Sequence, residues 1–470
     1  MRIPPPLCIV SLLFLLGSVT SQAAPGAQWI SSTDSARWVT NAPLTPAKAP
    51  AGEGATVLVI DPSATAQKIK GWGGCFNEIG WKALQSLPEA EREAVLKNLF
   101  DPVSGCRFNI CRTPIGASDF ALEWYSYDET ADDYALEHFS IERDRHCLIP
   151  YIRAAMRFRP DLKVWGSPWS PPSWMKNNRS YTNRQIDDLE NTIREEPKVL
   201  DAYAHYFARY VTEYRKEGID LYAIHVQNEP ASGGRTIYPS CNWWKPEPMR
   251  DFIKNHLGPV FQEQKIPAQI WLGTCNVPWL PWFKTILDDK TAAAFISGVG
   301  LQWDGAVTLG DVRRLWPTMP LMQTETECGR GKNCWADAEK TFSLIRKYLT
   351  AGCEAYMYWN MVLDETGKSA WGWRQNSPVV VDAVNKKVTY TPEFHIIKHL
   401  SAFVPPGAFL LKTSGANDNV LAFKNPDNSI IVCAMNQTDN ATQLTIGLGD
   451  QTYTVPLAGH SMNTLLIPAK

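Results

Sequence analysis

Short apolar runs alternate with amphipathic helical patterns through the middle of the chain. Each run is apolar on consecutive positions rather than on every second one, which is typical of strands covered on both faces. The candidate strands are Lys68–Phe76, Phe108–Thr113, Lys163–Ser167, Leu221–Val226, Gln269–Thr274, Gly298–Trp303, Leu321–Thr324 and Ala355–Trp359. Eight strands that alternate with helices predict an α/β fold, a (β/α)8 TIM barrel.

The helical patterns between these strands carry apolar residues three and four positions apart. The clearest pattern runs from Asp201 to Lys216, and Gly218 follows just beyond its end. Further helices are predicted over Pro88–Leu99, Pro248–Gln262 and Ala336–Leu349. The first two of these begin with proline, which suits the first position of a helix.

The pattern changes from Phe409 onward, where short strands are separated by turns rich in Asn, Asp and Gly. This texture predicts a small β-sandwich beside the barrel, and segments Gln28–Thr40 and Ala55–Ile60 are expected to add strands to it. The predicted organisation is therefore a signal peptide at residues 1–24, sandwich strands at 25–62, the barrel at 63–395 and the rest of the sandwich at 396–470.

The first residues have the composition of an export signal. A basic Arg2 precedes the apolar run Leu7–Leu16, and Ser21–Ala24 offers small residues for cleavage. The alternative is a membrane anchor, but the run is shorter than the roughly 20 residues that a membrane span needs. We therefore expect a secreted or periplasmic protein without stable membrane insertion.

The net charge bears on the binding partners, and the cysteine count bears on possible disulfides. A net charge of -2 argues against nucleic acid, because binding to phosphates requires a basic surface. Ten of the eleven cysteines remain after the signal, an even number that permits disulfides in an exported protein. Cys328 and Cys334 bracket a short loop and form the one specific candidate bridge. The full disulfide pattern and the oligomeric state stay open.

Tryptophan is unusually frequent, with nineteen residues. They either fill a large core or line a surface, and several lie next to Pro, Gly, Ser and Asn, as loop residues do. Rigid flat rings at a loop surface suit stacking on sugar faces. This placement favours a sugar-lined cleft, to which we assign Trp243, Trp244, Trp279, Trp282, Trp371 and Trp373.

Two glutamates follow strands of the predicted barrel, Glu229 after the fourth and Glu325 after the seventh. Catalytic groups of such barrels lie at the carboxyl ends of the strands. Burying a carboxylate there is costly unless it has a purpose, and glycoside hydrolysis requires two carboxyl groups. Glu327 competes with Glu325, because side chains two apart share a face of a strand. We favour Glu325, because it directly follows the apolar run.

Other chemistries have weaker signals. His395 and His399 have a metal-ligand spacing, but the glutamate of a zinc protease is missing, so a packing or surface role is favoured. No metal or cofactor is therefore expected. The rival function from another class is a glycan-binding protein without catalysis, which would keep the tryptophans and need neither glutamate.

Several runs together resemble the glucosylceramidase-like glycoside hydrolases of family thirty. The runs are Gly71–Phe76, Ser167–Ser170, Gln227–Pro230, Thr324–Glu325 with Cys328–Gly329, and Tyr358–Asn360. The resemblance implies a barrel with a side β-sandwich and a retaining reaction, with Glu229 as acid/base and Glu325 as nucleophile. It also implies that Asp119 and Trp169 bind the cleaved sugar, that Asn228 meets its 2-hydroxyl, that Trp359 forms a platform beneath it, and that Arg112 lies near the nucleophile.

This resemblance indicates the fold and the reaction more clearly than it indicates the sugar of the substrate. The runs Glu325–Gly329, Tyr356–Leu363 and Trp371–Trp373 look closer to microbial β-1,6-glucanases than to the animal lysosomal enzyme. The expected substrate is therefore an oligosaccharide or polysaccharide of β-linked glucose. A glucosylceramidase, a β-xylosidase and a xylanase remain as alternatives within the family, and endo and exo action are both open.

Overall fold

The computed structural model describes Met1 and residues 26–48, 57–183, 189–232, 240–415 and 419–469. Apart from Met1, the predicted signal peptide lies outside these residues. Four strands precede the barrel: β1 (Gln28–Ser32), β2 (Val39–Thr40), β3 (Ala47–Lys48) and β4 (Val57–Lys68). Within the described residues, no helix combines the length and apolar character needed to cross a membrane.

Eight parallel strands close into a barrel, which confirms the predicted fold. They are β5 (Gly71–Cys75), β6 (Ile110–Ile115), β7 (Lys163–Pro168), β8 (Leu221–His225), β9 (Gln269–Cys275), β10 (Ile296–Leu301), β11 (Leu321–Gln323) and β12 (Ala355–Asn360). The first strand begins later than predicted, because Lys68 ends β4, which belongs to the other sheet. β5 pairs with β12 and β6 and so closes the ring.

The inside of the barrel is filled by side chains rather than by solvent. Its centre is a cluster of Ile110, Trp165, Ala223, Trp271, Met322, Ala355 and Met357. Close approach of the strands also depends on glycine in β5. A Cβ atom at Gly73 would lie 1.7 Å from the carbonyl oxygen of Ile110 on β6.

Helices cover the outside of the barrel. In the described residues they are α1 (Glu78–Gln85), α2 (Glu89–Phe100), α3 (Glu142–His146), α4 (Leu148–Phe158), α5 (Pro197–Lys216), α6 (Pro246–Phe252), α7 (Gly258–Glu263), α8 (Leu280–Leu287), α9 (Lys290–Phe295), α10 (Leu309–Leu315), α11 (Trp335–Thr350) and α12 (Pro392–Ser401). The helix predicted over Pro248–Gln262 is not one regular helix, because a π-helical turn at Ile253–Leu257 separates α6 from α7.

A three-stranded ribbon follows the barrel strands, and the side sheet completes the chain. The ribbon is β13 (Val362–Asp364), β14 (Val379–Asp382) and β15 (Lys387–Tyr390), and the sheet strands are β16 (Phe409–Ser414), β17 (Val420–Lys424), β18 (Ile430–Asn436), β19 (Thr442–Leu448), β20 (Gln451–Leu457) and β21 (Ser461–Ile467). β1 pairs with β21, and β4 lies between β16 and β19, so both ends of the chain build one ten-stranded sheet.

The two faces of this sheet bury different surfaces. On β17, Val420 and Ala422 belong to the core of the side domain. Leu421 and Phe423, which alternate with them, join the large core that includes the barrel. This alternation joins the side domain to the barrel along an apolar face and confirms the predicted barrel with an attached β-sandwich.

The predicted bridge between Cys328 and Cys334 is wrong. All ten cysteines in the described residues are free thiols. Cys328 is buried, whereas the Cys334 thiol lies 3.3 Å from the Asp337 carboxylate at the start of α11. The two cysteine side chains therefore have different surroundings.

Candidate active site

Both predicted glutamates lie at the carboxyl end of the barrel. Glu229 follows β8 and Glu325 follows β11. The backbone of Glu229 adopts a left-handed conformation, with φ of 49°, and its N–H donates to the Thr274 carbonyl at 2.9 Å. This conformation costs a side-chain-bearing residue roughly 1–2 kcal/mol. Strain of this kind is concentrated at functional sites, where the surrounding structure holds it in place.

Arg112, on β6, connects the centre of the site. Its Nη1 donates to Glu325 Oε2 at 2.7 Å, its Nη2 to Asn228 Oδ1 at 2.6 Å, and its Nε to Ser167 Oγ at 3.0 Å. The guanidinium is fully buried and lies 4.3–5.3 Å from the ring centres of three tryptophans, Trp165, Trp169 and Trp359. A fixed positive charge therefore sits against Glu325.

Gln302 joins the two carboxyl groups. Its Nε2 lies 3.2 Å from Glu229 Oε1 and 3.2 Å from Glu325 Oε2, and its Oε1 accepts from Thr324 Oγ1 at 2.8 Å. The two carboxylate oxygens are therefore separated by at most twice 3.2 Å. This upper limit is below the roughly 6.5–9.5 Å spacing of inverting glycosidases and includes the roughly 5–5.5 Å of retaining ones.

The other oxygen of each carboxyl group has its own donor. Trp303 Nε1 donates to Glu325 Oε1 at 2.9 Å, and Ser232 Oγ donates to Glu229 Oε2 at 2.7 Å. Asn276 supports Ser232, because its Nδ2 donates to the serine oxygen at 2.7 Å. Both carboxyl groups are thus held in one orientation, and among the described residues Glu325 has a cationic partner, whereas Glu229 has none.

The surroundings of the two carboxyl groups shift their pKa values. Burial raises the pKa of Glu229 above its ordinary value, and the hydrogen bonds from Ser232 and Gln302 oppose that rise. Burial also raises the pKa of Glu325, to about 7, against the lowering effect of Arg112, and the nearby Glu229 raises it further. Two acids this close resist double ionisation. The ion pair with Arg112 stabilises negative charge on Glu325.

Asp119 lies on the other side of the site, in the loop after β6. It is 7% exposed, and its Oδ1 accepts from Trp371 Nε1 at 3.1 Å. Burial raises its pKa to about 7, a rise that the Trp371 hydrogen bond opposes and the charge of Glu229 increases. The indole of Trp371 stacks on Trp373 at 5.3 Å, and Trp373 lies 6.1 Å from Trp303. Three indoles therefore form one wall from Asp119 to Glu325.

Trp169 and Trp359 lie next to the Arg112 guanidinium. Their rings stack at 5.3 Å and are 1% and 0% exposed. The buried Trp359 Nε1 has no hydrogen-bond partner among the described residues. A buried N–H without a partner is costly, which makes it a candidate donor to a bound molecule.

The structure therefore joins Arg112, Asn228 and Glu325 by direct hydrogen bonds and links Glu229 to them through Gln302, with Asp119 nearby. Gln302 and Trp303 were missed from the sequence, although both end the sixth predicted strand and lie at the edge where functional groups were expected. Ser232 was also missed, because it follows Glu229 in a loop without a recognisable pattern. Glu327 instead pairs with Lys340 at 3.0 Å, outside the site.

The predicted sugar-binding tryptophans divide into two groups. Trp244 and Trp282 are 2% and 6% exposed and belong to the main core. Their indole N–H groups already donate inside that core, to Gln227 Oε1 and to the Trp244 carbonyl, so the prediction that they line a cleft is wrong. Trp279 is 54% exposed, and Trp243, Trp371 and Trp373 are partly exposed. No three His, Cys, Asp or Glu side chains cluster as metal ligands in the described ranges. His399 instead bonds Ser32 and Thr464 in the side domain.

Comparison with known proteins covers nearly the whole described chain. The family model for the glycosyl hydrolase family 30 TIM-barrel domain matches residues 69–404, and the model for the family 30 beta sandwich domain matches residues 407–465. Lysosomal acid glucosylceramidase of Mus musculus is 27% identical over 437 residues, which are 87% of this chain and 83% of that protein.

Two further relatives are named for different activities. Putative glucosylceramidase 3 of Caenorhabditis elegans is 30% identical over 374 residues, 75% of this chain and 69% of that protein. Endo-1,6-beta-D-glucanase of Neurospora crassa is 25% identical over 473 residues, 93% of both chains.

Solved structures share the fold. SrfJ from Salmonella typhimurium has a TM-score of 0.85 at 23% identity, covering 94% of this chain and 100% of its own. The endo-beta1,6-glucanase BT3312 has a TM-score of 0.81 at 23% identity, covering 95% and 100%.

Proposed function

Because the chain belongs to glycosyl hydrolase family 30 and is therefore a glycosidase, we propose that it cleaves β-linked glucose with retention of configuration. Glu325 is the nucleophile and Glu229 is the acid/base. The observation that carries this proposal is the single Gln302 amide nitrogen at 3.2 Å from both carboxyl groups, with Arg112 on Glu325 alone. It supports a short carboxyl spacing and unequal charges, which a retaining reaction requires.

In the first step, an ionised oxygen of Glu325 attacks the anomeric carbon while the glycosidic bond breaks. Glu229 gives its proton to the departing oxygen, and a glycosyl ester forms on Glu325. Arg112 and Trp303 hold the attacking carboxylate in position, since both donate to it. Such positioning lowers the barrier because little reorganisation remains at the moment of reaction.

In the second step, Glu229 acts as the base. Formation of the ester removes the negative charge of Glu325, so Glu229 becomes a stronger acid and stays ionised after giving up its proton. Ser232 and Gln302 stabilise that carboxylate. Glu229 then takes a proton from water as the water oxygen attacks the anomeric carbon, and the Glu325 carboxylate leaves.

The cleaved sugar is bound by Asp119, Trp169, Asn228 and Trp359. The Oδ1 of Asn228 already accepts from Arg112 and Thr274, which leaves its amide N–H groups for the sugar 2-hydroxyl. The Trp359 N–H, without a partner in the described chain, donates to another hydroxyl. Hydroxyl groups that satisfy such donors give strong selection for the correct sugar.

A β-1,6-glucan is the proposed substrate, with a related β-glucoside as the simpler form. The match to the Neurospora endo-1,6-beta-D-glucanase over 93% of both chains supports it, as do the partly exposed tryptophans beyond the cleaved sugar. The second candidate is glucosylceramide, which the similarity to the mouse lysosomal enzyme favours.

Two measurements test this proposal. Proton NMR of the first product from an aryl β-glucoside should show the β anomer, whereas the α anomer would refute the retaining mechanism. A product profile on β-1,6-, β-1,3- and β-1,4-glucans, xylan and glucosylceramide then assigns the substrate. Release of oligosaccharides from β-1,6-glucan indicates endo action, and release of glucose alone indicates exo action. Glycan binding without turnover of any substrate would favour the non-catalytic rival.

A further inference from the structure

Asp119 lies in a loop that follows β6 and closes on itself. The Ala117 N–H donates to the Tyr125 carbonyl at 3.0 Å, which joins the ends of the segment 117–125, here called the β6 loop. Gly116, just before this loop, has a φ of 77°, and a Cβ atom there would lie 3.0 Å from the Tyr125 oxygen. Because the β6 loop contains neither helix nor strand, the position of Asp119 depends on the groups that hold this loop.

The first turn of α1 holds the β6 loop through a buried carboxylate. Glu78 is buried, and its Oε2 accepts from the Leu122 N–H at 2.7 Å. The neighbouring Ile79 N–H donates to the Phe120 carbonyl at 3.1 Å. These two bonds hold the backbone directly after Asp119. A buried carboxylate is costly unless it is paired, so the hold on Leu122 depends on a cation beside Glu78.

Arg143, on α3, is that cation. Its Nε donates to Glu78 Oε1 at 2.9 Å and its Nη2 donates to Glu78 Oε2 at 3.0 Å, so the ion pair has two parallel hydrogen bonds. Such forked pairs are among the stronger ones that arginine forms. The guanidinium also lies 4.2 Å from the ring centre of Tyr125, and its Nη1 lies 3.7 Å from the exposed Glu123 carboxylate. One side chain therefore contacts both the group that holds the β6 loop and the residue that ends it.

The residue after Arg143 fixes α3 in place. The buried Asp144 carboxylate accepts from the hydroxyl groups of Tyr125 at 2.7 Å, Tyr127 at 2.6 Å and Tyr214 at 2.5 Å. Tyr214 belongs to α5, which covers the barrel. Asp144 therefore ties α3 to the barrel as well as to the β6 loop, which gives Arg143 a fixed base.

On its other side, the β6 loop meets the wall of indoles. The Ala370 N–H donates to the Asp119 carbonyl at 2.8 Å, and Trp371 Nε1 donates to the Asp119 carboxylate at 3.1 Å. Asp119 thus lies between two supports, the loop that connects β13 with β14 and the pair of Glu78 with Arg143. The second support lies away from the indole wall, and the site described above does not include it.

We propose that Arg143 is a positioning residue for Asp119 and thereby sets how strictly the site selects the sugar hydroxyl that Asp119 binds. This inference rests on the proposed function, in which Asp119 binds the cleaved sugar. Arg143 acts through Glu78 and the Leu122 N–H. Removal of the arginine leaves Glu78 buried without its cation, which drives that side chain towards water and away from Leu122. A displacement of about 1 Å in the β6 loop is then enough to weaken the contact of Asp119 with the sugar strongly.

The first test compares an activated aryl β-glucoside with its 3-, 4- and 6-deoxy forms. In the wild type, removal of the hydroxyl that Asp119 binds should lower kcat/KM about ten- to a hundredfold, as expected for a hydrogen bond to a charged group. Asp119→Asn identifies this hydroxyl, because most of that factor disappears in the variant. Differences in the intrinsic reactivity of the deoxy substrates cancel, since each factor is compared between proteins.

Arg143→Gln should lose most of the same factor at the same hydroxyl and keep the wild-type factors at the other two. A general loss of stability would lower kcat/KM for all four substrates alike. The matched control is Arg145→Gln, two residues further along α3, where the arginine pairs with Glu142 and Glu217 on the surface. This control should keep the wild-type factor at every hydroxyl.

The second test needs no turnover. Amide hydrogen exchange of a peptide that covers residues 116–125 should be faster in Arg143→Gln than in the wild type, because the Leu122 N–H loses its acceptor, and it should be unchanged in Arg145→Gln. Exchange across α11 reports whether the rest of the barrel keeps its stability.

Unchanged exchange of the β6 loop in Arg143→Gln, or the same change in both arginine variants, would overturn the proposal. Faster exchange with the hydroxyl selectivity intact would overturn it as well. Failure of the proposed function gives a different result. If the wild type cleaves no aryl β-glucoside, the assignment of glucose falls, and the exchange comparison decides whether Arg143 holds the loop. If the wild type cleaves the glucoside but Asp119→Asn alters the selectivity at no hydroxyl, the role of Arg143 is refuted, while Glu229 and Glu325 keep theirs.

Discussion

Replacement of Trp303 by phenylalanine removes an indole N–H from the site and keeps an aromatic ring in its place. The indole N–H that lies 2.9 Å from Glu325 Oε1 is lost, while an aromatic ring remains next to Trp373. Trp303 has a left-handed backbone, with φ of 48°, and phenylalanine bears the same cost there as tryptophan. The substitution therefore tests the hydrogen bond rather than the loop.

The expected magnitude follows from the charge of the acceptor. A hydrogen bond to a charged group contributes about 1.5–3 kcal/mol, and one pKa unit corresponds to about 1.36 kcal/mol. Loss of the N–H destabilises the ionised form of Glu325, so its pKa should rise by about one to two units. The nucleophile must be ionised to react, so the acidic limb of the pH profile of kcat/KM should move to higher pH by the same amount. At the optimum, kcat/KM should fall about ten- to a hundredfold.

The assay is the pH dependence of kcat/KM for an activated aryl β-glucoside, measured for the wild type, Trp303→Phe and the control Trp371→Phe. The control removes an indole N–H from Asp119 instead of from Glu325. It should lower kcat/KM by raising the pKa of Asp119, and it should move the acidic limb less than Trp303→Phe does, because the hydrogen bond from Trp303 to Glu325 stays intact. An unmoved acidic limb in Trp303→Phe, or the same shift in both variants, would refute the assignment of Glu325 as the group that must be ionised.

Three further predictions follow from the same geometry. Glu325→Gln should reduce turnover to the background of the assay while the protein stays folded by circular dichroism, because an amide neither attacks nor forms the ester; substantial turnover would reject its role. Glu229→Gln should slow substrates with poor leaving groups by roughly 10²–10⁴-fold and activated aryl glucosides less in the first step, and azide should rescue it with a β-glycosyl azide product; equal losses for all leaving groups would reject the acid role. Gly73→Ala should unfold the barrel or strongly lower Tm, because its Cβ would lie 1.7 Å from the Ile110 oxygen, whereas Gly310→Ala on α10 meets nothing within 4 Å and should leave Tm unchanged or slightly raised.

The barrel was predictable because parallel strands buried on both faces leave continuous apolar runs in the sequence. The features that were predicted wrongly depend on tertiary packing, which the sequence pattern does not show. The helix predicted over Pro248–Gln262 contains a π-helical turn that no periodicity revealed. Trp244 lies in a loop and Trp282 in α8, yet both fill the core, because the loops and helices over a barrel also have a buried side.

The site was predictable only to the level of the strand ends. Glu229 and Glu325 were found because an acid directly after a buried strand has no packing purpose. Gln302 and Trp303 follow the same rule, but an amide and an indole after a strand also suit ordinary packing. The direction of the Trp303 side chain depends on a left-handed backbone that the sequence does not signal. Neighbouring strands of the closed barrel, rather than any local pattern, bring these groups to the two acids.

The identity of the nucleophile is tested most directly by trapping the covalent intermediate. A 2-deoxy-2-fluoro-β-glucoside with an activated leaving group slows both steps, so a glycosyl ester should accumulate and survive proteolysis for peptide mass spectrometry. The predicted result is one fluoroglucosyl adduct, on Glu325, at one equivalent per chain. An adduct on Glu327 or Glu229, or inactivation without any ester on Glu325, would contradict the proposed mechanism.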